Sequence, residues 1–331
     1  MISNPNVFLM KNQWLFSAAS LFCISMAVLA FTNKKETQTR IAKITTIIVD
    51  AGHGFKGSLT ARDGTVGTEI TEDEVSYEVS KKLVEELKKE LPDVKIIESR
   101  PTPFFVGLRD RANFANANKG SLFVSLHCNS APRIREVKRE GTKTETYYTY
   151  VGKGKKKKRI RKTRQVGIYK TYYYPNPAHG TETFVFGVDK TDEKEGILME
   201  NGEVYENEKD DSTFVNNIND PITKQRVALW TKQFFSNSVK LASFVEEEFI
   251  ALGRFSRGVK QRQKGIWVLQ ATAMPSILVE LGFLSNKPEE DFLMSTEGQQ
   301  QMAAGITKAI KRYKEIVEKT TQTQPVQGTK K

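Results

Sequence analysis

The chain predicts an α/β fold: three layers, helix, sheet and helix, around a mostly parallel twisted sheet, with a basic hairpin-like insertion set into it. Three observations carry the expectation. Short apolar or β-branched runs alternate with helical periods between residues 44 and 126. The helical stretches carry recognisable start and stop signals. The excess of positive charge is confined to one tyrosine-rich stretch instead of being spread along the chain.

The elements follow in order. Residues 44–49 read as a buried strand that runs into Asp50-Ala51-Gly52-His53-Gly54, where two glycines permit a sharp turn around a histidine. Neither GxGxxG nor GxxxxGK[ST] is present, so the turn serves to present His53 and not to cradle phosphate. Thr71-Glu72-Asp73-Glu74 has the form of a capping box ahead of Val75, Val79, Leu83, Leu87 and Leu91, with Pro92 as a stop. Residues 94–98 form a second strand, 108–118 a helix ended near Gly120, and 122–126 (LFVSL) a third strand. Residues 181–187 return as a strand, 222–252 carry a helical apolar period closed by Gly253, 276–279 form a last strand, and 293–313 a helical end.

Charge and composition bound the rest. Residues 131–177 hold 15 Lys/Arg against three acids, a net of +12 that equals the net charge of the whole 331-residue chain. Two tyrosine-rich arms, TETYYTYV and GIYKTYYYP, flank GKGKKKKRIRK, the pattern of a projecting hairpin. Tyrosines interleaved with Lys/Arg suit nucleic acid, but a solvated hairpin, or one touching acidic envelope components, is the preferred reading for an exported chain, and no nucleic acid is expected. Residues 1–31 hold one apolar run (14–31) bounded by lysines, read as a signal peptide cleaved near Ala30 or, alternatively, an anchor in contact with the membrane. Residues 32–43 read as a linker, 44–315 as the catalytic domain and 316–331 as a disordered tail. Cleavage would leave Cys128 alone, without an intrachain disulfide.

Three strands end alike, in Asp50-Ala-Gly-His53, His127-Cys128-Asn129 and Glu280-Leu281-Gly282. If they are parallel, His53, His127 and Glu280 emerge at one edge of the sheet, where open α/β folds bind ligands. Two imidazoles and a carboxylate there suggest a metal site, zinc by donor type. Glu280 cannot readily be both ligand and base, so a further ligand is needed. Glu74 is occupied by the capping box, which leaves Glu72 free at the helix start, with Glu69 and Glu74 as fallbacks. His179 reads as a loop histidine and Cys128 as packing. Arg100, Arg109, Arg111 and Asn113 suit either peptide carboxylates or a solvated helix face.

On the segments IIVDAGHG, TEDEVSYEVSKKL, LRDRANFANANKGSLFVSLHCNS and MPSILVELGFLSN, in that order, the chain resembles the zinc-dependent N-acetylmuramoyl-L-alanine amidases, the cell-wall family typified by the division amidases. The resemblance covers roughly residues 44–130 and 178–315. It implies His53, Glu72 and His127 as zinc ligands, Glu280 as the catalytic glutamate, peptidoglycan as substrate and extracytoplasmic action. It also implies that the acidic stretch about 189–222 is a regulatory element, with Glu200 as a carboxylate for the metal until an activator protein withdraws it. The Lys-rich insertion is not part of the common pattern. Alternatives in other classes are a non-catalytic peptidoglycan-binding or regulatory module, and a zinc peptidase cutting within the stem peptide.

Overall fold

The computed structural model describes residues 43–57, 62–187, 192, 194–196, 221–262 and 266–322. The chain divides after Ile41, and everything below concerns the unit Ala42–Lys331. The apolar run at 14–31, the linker up to residue 42 and Glu200 lie outside the described residues. Among the described residues no helix is long and apolar enough to cross a membrane.

In chain order the elements are β1 (Thr46–Ala51), β2 (Gly54–Phe55), β3 (Arg62–Asp63), α1 (Glu72–Glu90), β4 (Lys95–Glu98), α2 (Leu108–Ala117), β5 (Leu122–Asn129), β6 (Ile134–Val151), β7 (Lys158–Tyr174), β8 (Thr181–Val185), α3 (Pro221–Ala251), β9 (Ser256–Gln261), α4 (Trp267–Ala271), β10 (Ser276–Phe283), α5 (Lys287–Met294) and α6 (Thr296–Gln322). Six strands form the central sheet in the order β4-β1-β5-β10-β8-β9. The first four are mutually parallel; β8 pairs antiparallel with β10 and parallel with β9.

The sheet is buried on both faces because alternate residues serve different layers. Ile48, Phe123 and Leu278 pack with Ala115 of α2 and with Val268 and Leu269 of α4. Helices α1 and α3 pack against the sheet strands and both contact α6, which forms the opposite layer. Each fully buried Leu, Ile or Phe contributes about 1.5–3 kcal/mol.

Helix α1 begins and ends where its residue types dictate. The Glu74 carboxylate accepts from the Thr71 backbone N–H at 3.2 Å and from its hydroxyl at 2.9 Å, closing the capping box. Acids in the first turn and Lys88 and Lys89 in the last complement the helix dipole, and Leu91 caps the helix just before Pro92. Val75, Val79, Leu83 and Leu87 form its buried stripe.

Two expectations need correction. The chain does not turn to disordered tail at 316, because α6 runs to Gln322 with Val317 buried; only 323–331 lie outside the described residues. The helical end read as 293–313 is two helices, broken at Ser295, whose hydroxyl accepts from the Gly298 N–H. The short elements β2, β3, β9 and α4 had no sequence expectation. The basic insertion is indeed a hairpin: β6 and β7 pair from Ile134↔Tyr174 to Val151↔Lys158 and form a sheet of their own.

Candidate active site

The order β4-β1-β5 places a topological switch beside β1, since the chain crosses to one neighbour through α1 and returns to the other. Ligand sites of open α/β sheets lie at the strand ends of such a switch. Here β1 delivers Ala51-Gly52-His53 and β5 delivers His127 to the same edge. His53 takes up a left-handed backbone with φ 59°, uncommon for a residue with a Cβ. The cost of that conformation is of order 1–2 kcal/mol.

Two buried arginines hold the turn in this shape. Arg100 donates to the carbonyls of Ala51 at 2.8 Å, Gly52 at 3.1 Å and Asp73 at 3.0 Å. Arg111 donates to the Asp50 carboxylate at 2.9 Å and to the carbonyls of Ala51 and His53. Asp50 also accepts from the hydroxyls of Ser99 (2.5 Å) and Ser125 (2.6 Å). Burial would raise the Asp50 pKa, but Arg111 and the two hydroxyls outweigh it and hold the carboxyl below its ordinary range. Burial, with Arg111 nearby, lowers Arg100 to about 10, still charged at neutral pH. Arg100 and Arg111 therefore face neither solvent nor a peptide substrate, whereas Arg109 and Asn113 are exposed.

Glu72, the first residue of α1, is the meeting point. Its Oε1 lies 2.8 Å from His127 Nδ1 and 3.1 Å from His53 Nε2 and accepts from the Cys128 N–H at 3.0 Å; Oε2 accepts from the Thr65 N–H at 2.7 Å. One ligand atom from each of His53, Glu72 and His127 falls within 4.8 Å of the others, the one such group among the described residues. The fallback glutamates are engaged elsewhere: Glu69 pairs with Lys287 at 2.5 Å, and Glu74 caps the helix. Burial pulls the Glu72 pKa upward, and the hydrogen bonds and charge of His127 and His53 more than reverse this, so the carboxyl stays well below its usual range.

Two glycines make room for this cluster. A Cβ on Gly52 would lie 2.4 Å from the His127 ring. One on Gly64 (φ +96°) would lie 2.7 Å from the His53 ring and 2.8 Å from Glu72 Oε2. Sequence analysis did not single out Gly64.

Glu280 stands beside the cluster. In the parallel β5–β10 register it is the partner of His127, and across β8 it is the partner of Glu182. It is 7 % exposed, and its Oε2 has no hydrogen-bond partner. Burial, then the charges of Glu72 and Glu182, raise its pKa to about 8. His53, Glu72 and His127 could hold a cation, and beside them stands a buried carboxyl with one unsatisfied oxygen, able to exchange a proton. Glu182 itself is held by Asn129 at 2.7 Å, Arg257 at 2.9 Å and Lys260. Cys128 is buried and its thiol pKa is raised well above the ordinary value by burial and the neighbouring acids. His179 lies in an exposed loop with its ring against Phe255.

Sequence reasoning missed the Asp50–Ser99–Ser125–Arg111 network. A signal existed: an acid closing a four-residue apolar strand must find a partner. Nothing local says which of the chain's arginines provides it.

A mixed α/β sheet with helices on both faces and a His–Glu–His cluster at its switch point defines the class. The family described as N-acetylmuramoyl-L-alanine amidase matches residues 47–312, and the chain belongs to it. A Bacillus subtilis (strain 168) protein, the uncharacterized protein YqiI, is 27% identical over 269 residues, 81% of this chain and 84% of that one. Part of N-acetylmuramoyl-L-alanine amidase AmiC of Neisseria meningitidis is 40% identical over 77 residues, 23% of this chain and 18% of that one. Among solved structures, an N-acetylmuramoyl-L-alanine amidase from Clostridium difficile 630 superposes with TM-score 0.50 at 20% identity, covering 83% of this chain and 98% of that one. Ami1 from Mycobacterium smegmatis gives 0.51 at 16%, covering 83% and 100%. These likenesses agree on the fold.

Proposed function

We propose that this chain is a zinc-dependent enzyme that hydrolyses the amide joining the lactyl group of N-acetylmuramic acid to L-alanine in peptidoglycan. The observation that carries the reading is the cluster of His53, Glu72 and His127 with the unpartnered Glu280 oxygen beside it. The donor set fits zinc: two imidazoles and one ionised carboxylate, with Gly52 and Gly64 leaving the volume that Cβ atoms would fill. Bound there, zinc would supply water activation at neutral pH and polarise the amide carbonyl.

The chain's own residues do the rest. Glu72 is ionised and offsets part of the cation's charge, while Arg100 and Arg111 keep the His53 turn in its left-handed form. Glu280 accepts the proton of the attacking water at a carboxylate oxygen as the C–O bond forms. It then delivers that proton to the alanine nitrogen as the C–N bond breaks, leaving a lactyl carboxylate and a free amine. Burial, Glu72 and Glu182 raise the Glu280 pKa, and a cation held by His53, Glu72 and His127 would counter that rise and favour the ionised base.

Mass spectrometry of sacculi digested with purified protein tests the bond cleaved: new N-terminal L-alanine is expected, and cleavage only inside the stem would show a peptidase instead. Glu280→Gln should retain stoichiometric zinc by elemental analysis while its rate falls by roughly 10²–10⁴-fold. Near-normal cleavage by that variant would remove Glu280 from the mechanism. The biological setting that fits is cell-wall remodelling or daughter-cell separation outside the cytoplasm. The non-catalytic alternative is disfavoured by the presence of both Glu72 and Glu280, since a binder needs no base beside a metal.

The reading extends to regulation. Residues 189–211 carry ten acids against three lysines and lie mostly outside the described residues. Within that stretch the described Lys194 is buried, with Nζ donating to Leu269 O at 2.8 Å and Thr272 O at 2.6 Å. A CwlD amidase from Clostridioides difficile was solved in complex with the GerS lipoprotein. By that likeness a protein activator is a partner to seek. Removing about residues 195–220 should raise activity on sacculi, and a folded variant with no gain would end the autoinhibition idea.

A further inference from the structure

The β6–β7 ribbon has two unlike faces. Side chains of paired residues share a face, and alternate pairs point to opposite sides. One face carries Lys143, Lys158, Lys162 and Lys170, with Lys138, Arg164 and the tyrosines Tyr147, Tyr172 and Tyr174, together with all three acids of the ribbon. Those acids are already engaged: Glu136 with Lys138 at 3.1 Å, Glu145 with Arg164 at 2.7 Å, and Glu140 with the Tyr172 hydroxyl and Lys170. The other face carries Arg135, Arg139, Arg159 and Arg161, with Tyr148, Tyr150, Tyr169 and Tyr173 between them, and no carboxylate at all. Every cation on that face is an arginine. All eight side chains are exposed, and none of the four arginines is paired with an acid among the described residues.

Sorting of this kind is not needed for solubility, which the lysine face would supply by itself. Arginine's planar fork grips oxyanions in bidentate fashion, and exposed tyrosine rings offer flat surfaces to the apolar faces of sugars. Arg159 already sits over the Tyr148 ring, its Cζ 3.5 Å from the centroid, a cation–π contact that restrains the fork. The 17 residues of β7 make an arm about 55 Å long. It is rooted at the active-site edge, five residues past the Asn129 end of β5, and it returns into β8 opposite Glu280. An extended surface of this shape suits an extended polymer of sugars and anionic groups.

We propose that the arginine–tyrosine face is a docking surface for the peptidoglycan strand itself, gripping stem-peptide carboxylates between sugar-stacked tyrosines and holding the substrate lattice beside the site. The proposal rests on the reading of that site as a peptidoglycan amidase. The test is pelleting with insoluble sacculi stripped of phosphodiester-linked polymers by hydrofluoric acid, using full-length protein carrying Glu280→Gln so that the lattice is not degraded. Two quadruple variants remove the same charge: R135Q/R139Q/R159Q/R161Q and K143Q/K158Q/K162Q/K170Q.

The arginine variant should bind roughly tenfold more weakly, with most of the salt dependence gone, and the lysine variant within about twofold of the parent. Equal losses would show a response to net charge alone and overturn the face. No loss in either would overturn the docking role. Binding that vanishes once the phosphodiester polymers are stripped, or that the arginine variant loses only on anionic vesicles, would assign the arm to another partner and overturn the peptidoglycan assignment. Unchanged circular dichroism of the variants guards against misfolding. Pelleting breaks no bond, so its outcome is independent of whether the cleavage reading stands.

Discussion

At the residue scale, the site depends on absent atoms as much as on present ones. Gly52 and Gly64 are positions where a methyl group would strike the rings and carboxylate of the cluster. Gly52→Ala should leave thermal stability nearly unchanged, since the clash is with one side chain at the sheet's edge, yet weaken zinc binding by at least about tenfold. Competition with a chelator measures this, and parent-like affinity would show that His127 can move aside freely. Much of the cluster was legible beforehand, because each strand end announces itself: apolar run, polar residue, glycine. Glu72 was legible through its neighbour, since a capping box that uses Glu74 leaves the first-turn acid unspent. Arg100 and Arg111 were not legible. Their partners in the turn lie about fifty to sixty positions away in sequence, and no periodicity encodes such a contact.

At the element scale, the direction of β8 is the instructive case. The strand itself was expected, but not that it runs against β10. The reason lies in the ribbon: Ile134 faces Tyr174, so the chain re-enters the domain at the edge it left and must run back down the sheet. Helices α1 and α3 were readable within a residue or two because each carries a long apolar stripe with a stop signal. The short strand β9 and the five-residue α4 carry too few residues for a period to show. Since, among the described residues, the two strands of the ribbon pack chiefly on each other, replacing residues 135–173 by a two-residue turn should leave the thermal midpoint of the domain unaltered. A large drop in a calorimetric scan would mean that the ribbon braces the sheet.

At the scale of the whole molecule, stability is tied to one buried amine. Burial lowers the Lys194 pKa from 10.5 to about 7, with two carbonyls and the Phe186 ring around it and, among the described residues, no paired carboxylate. The folded chain therefore holds fewer protons than the unfolded chain between those two values, so stability rises with pH across that window and is flat below it. Calorimetry of parent and Lys194→Met from pH 7 to 10 should show the parent gaining relative to the variant; parallel curves would mean that the ammonium is solvated. The domain's other notable burial is sulfur. Its thiol, Cys128, is inside the sheet and firmly protonated, without a second cysteine among the described residues. Oxidant and reductant alike find nothing there to couple or cleave. Neither dithiothreitol nor peroxide in a storage buffer should therefore alter the shelf life of this domain through that atom.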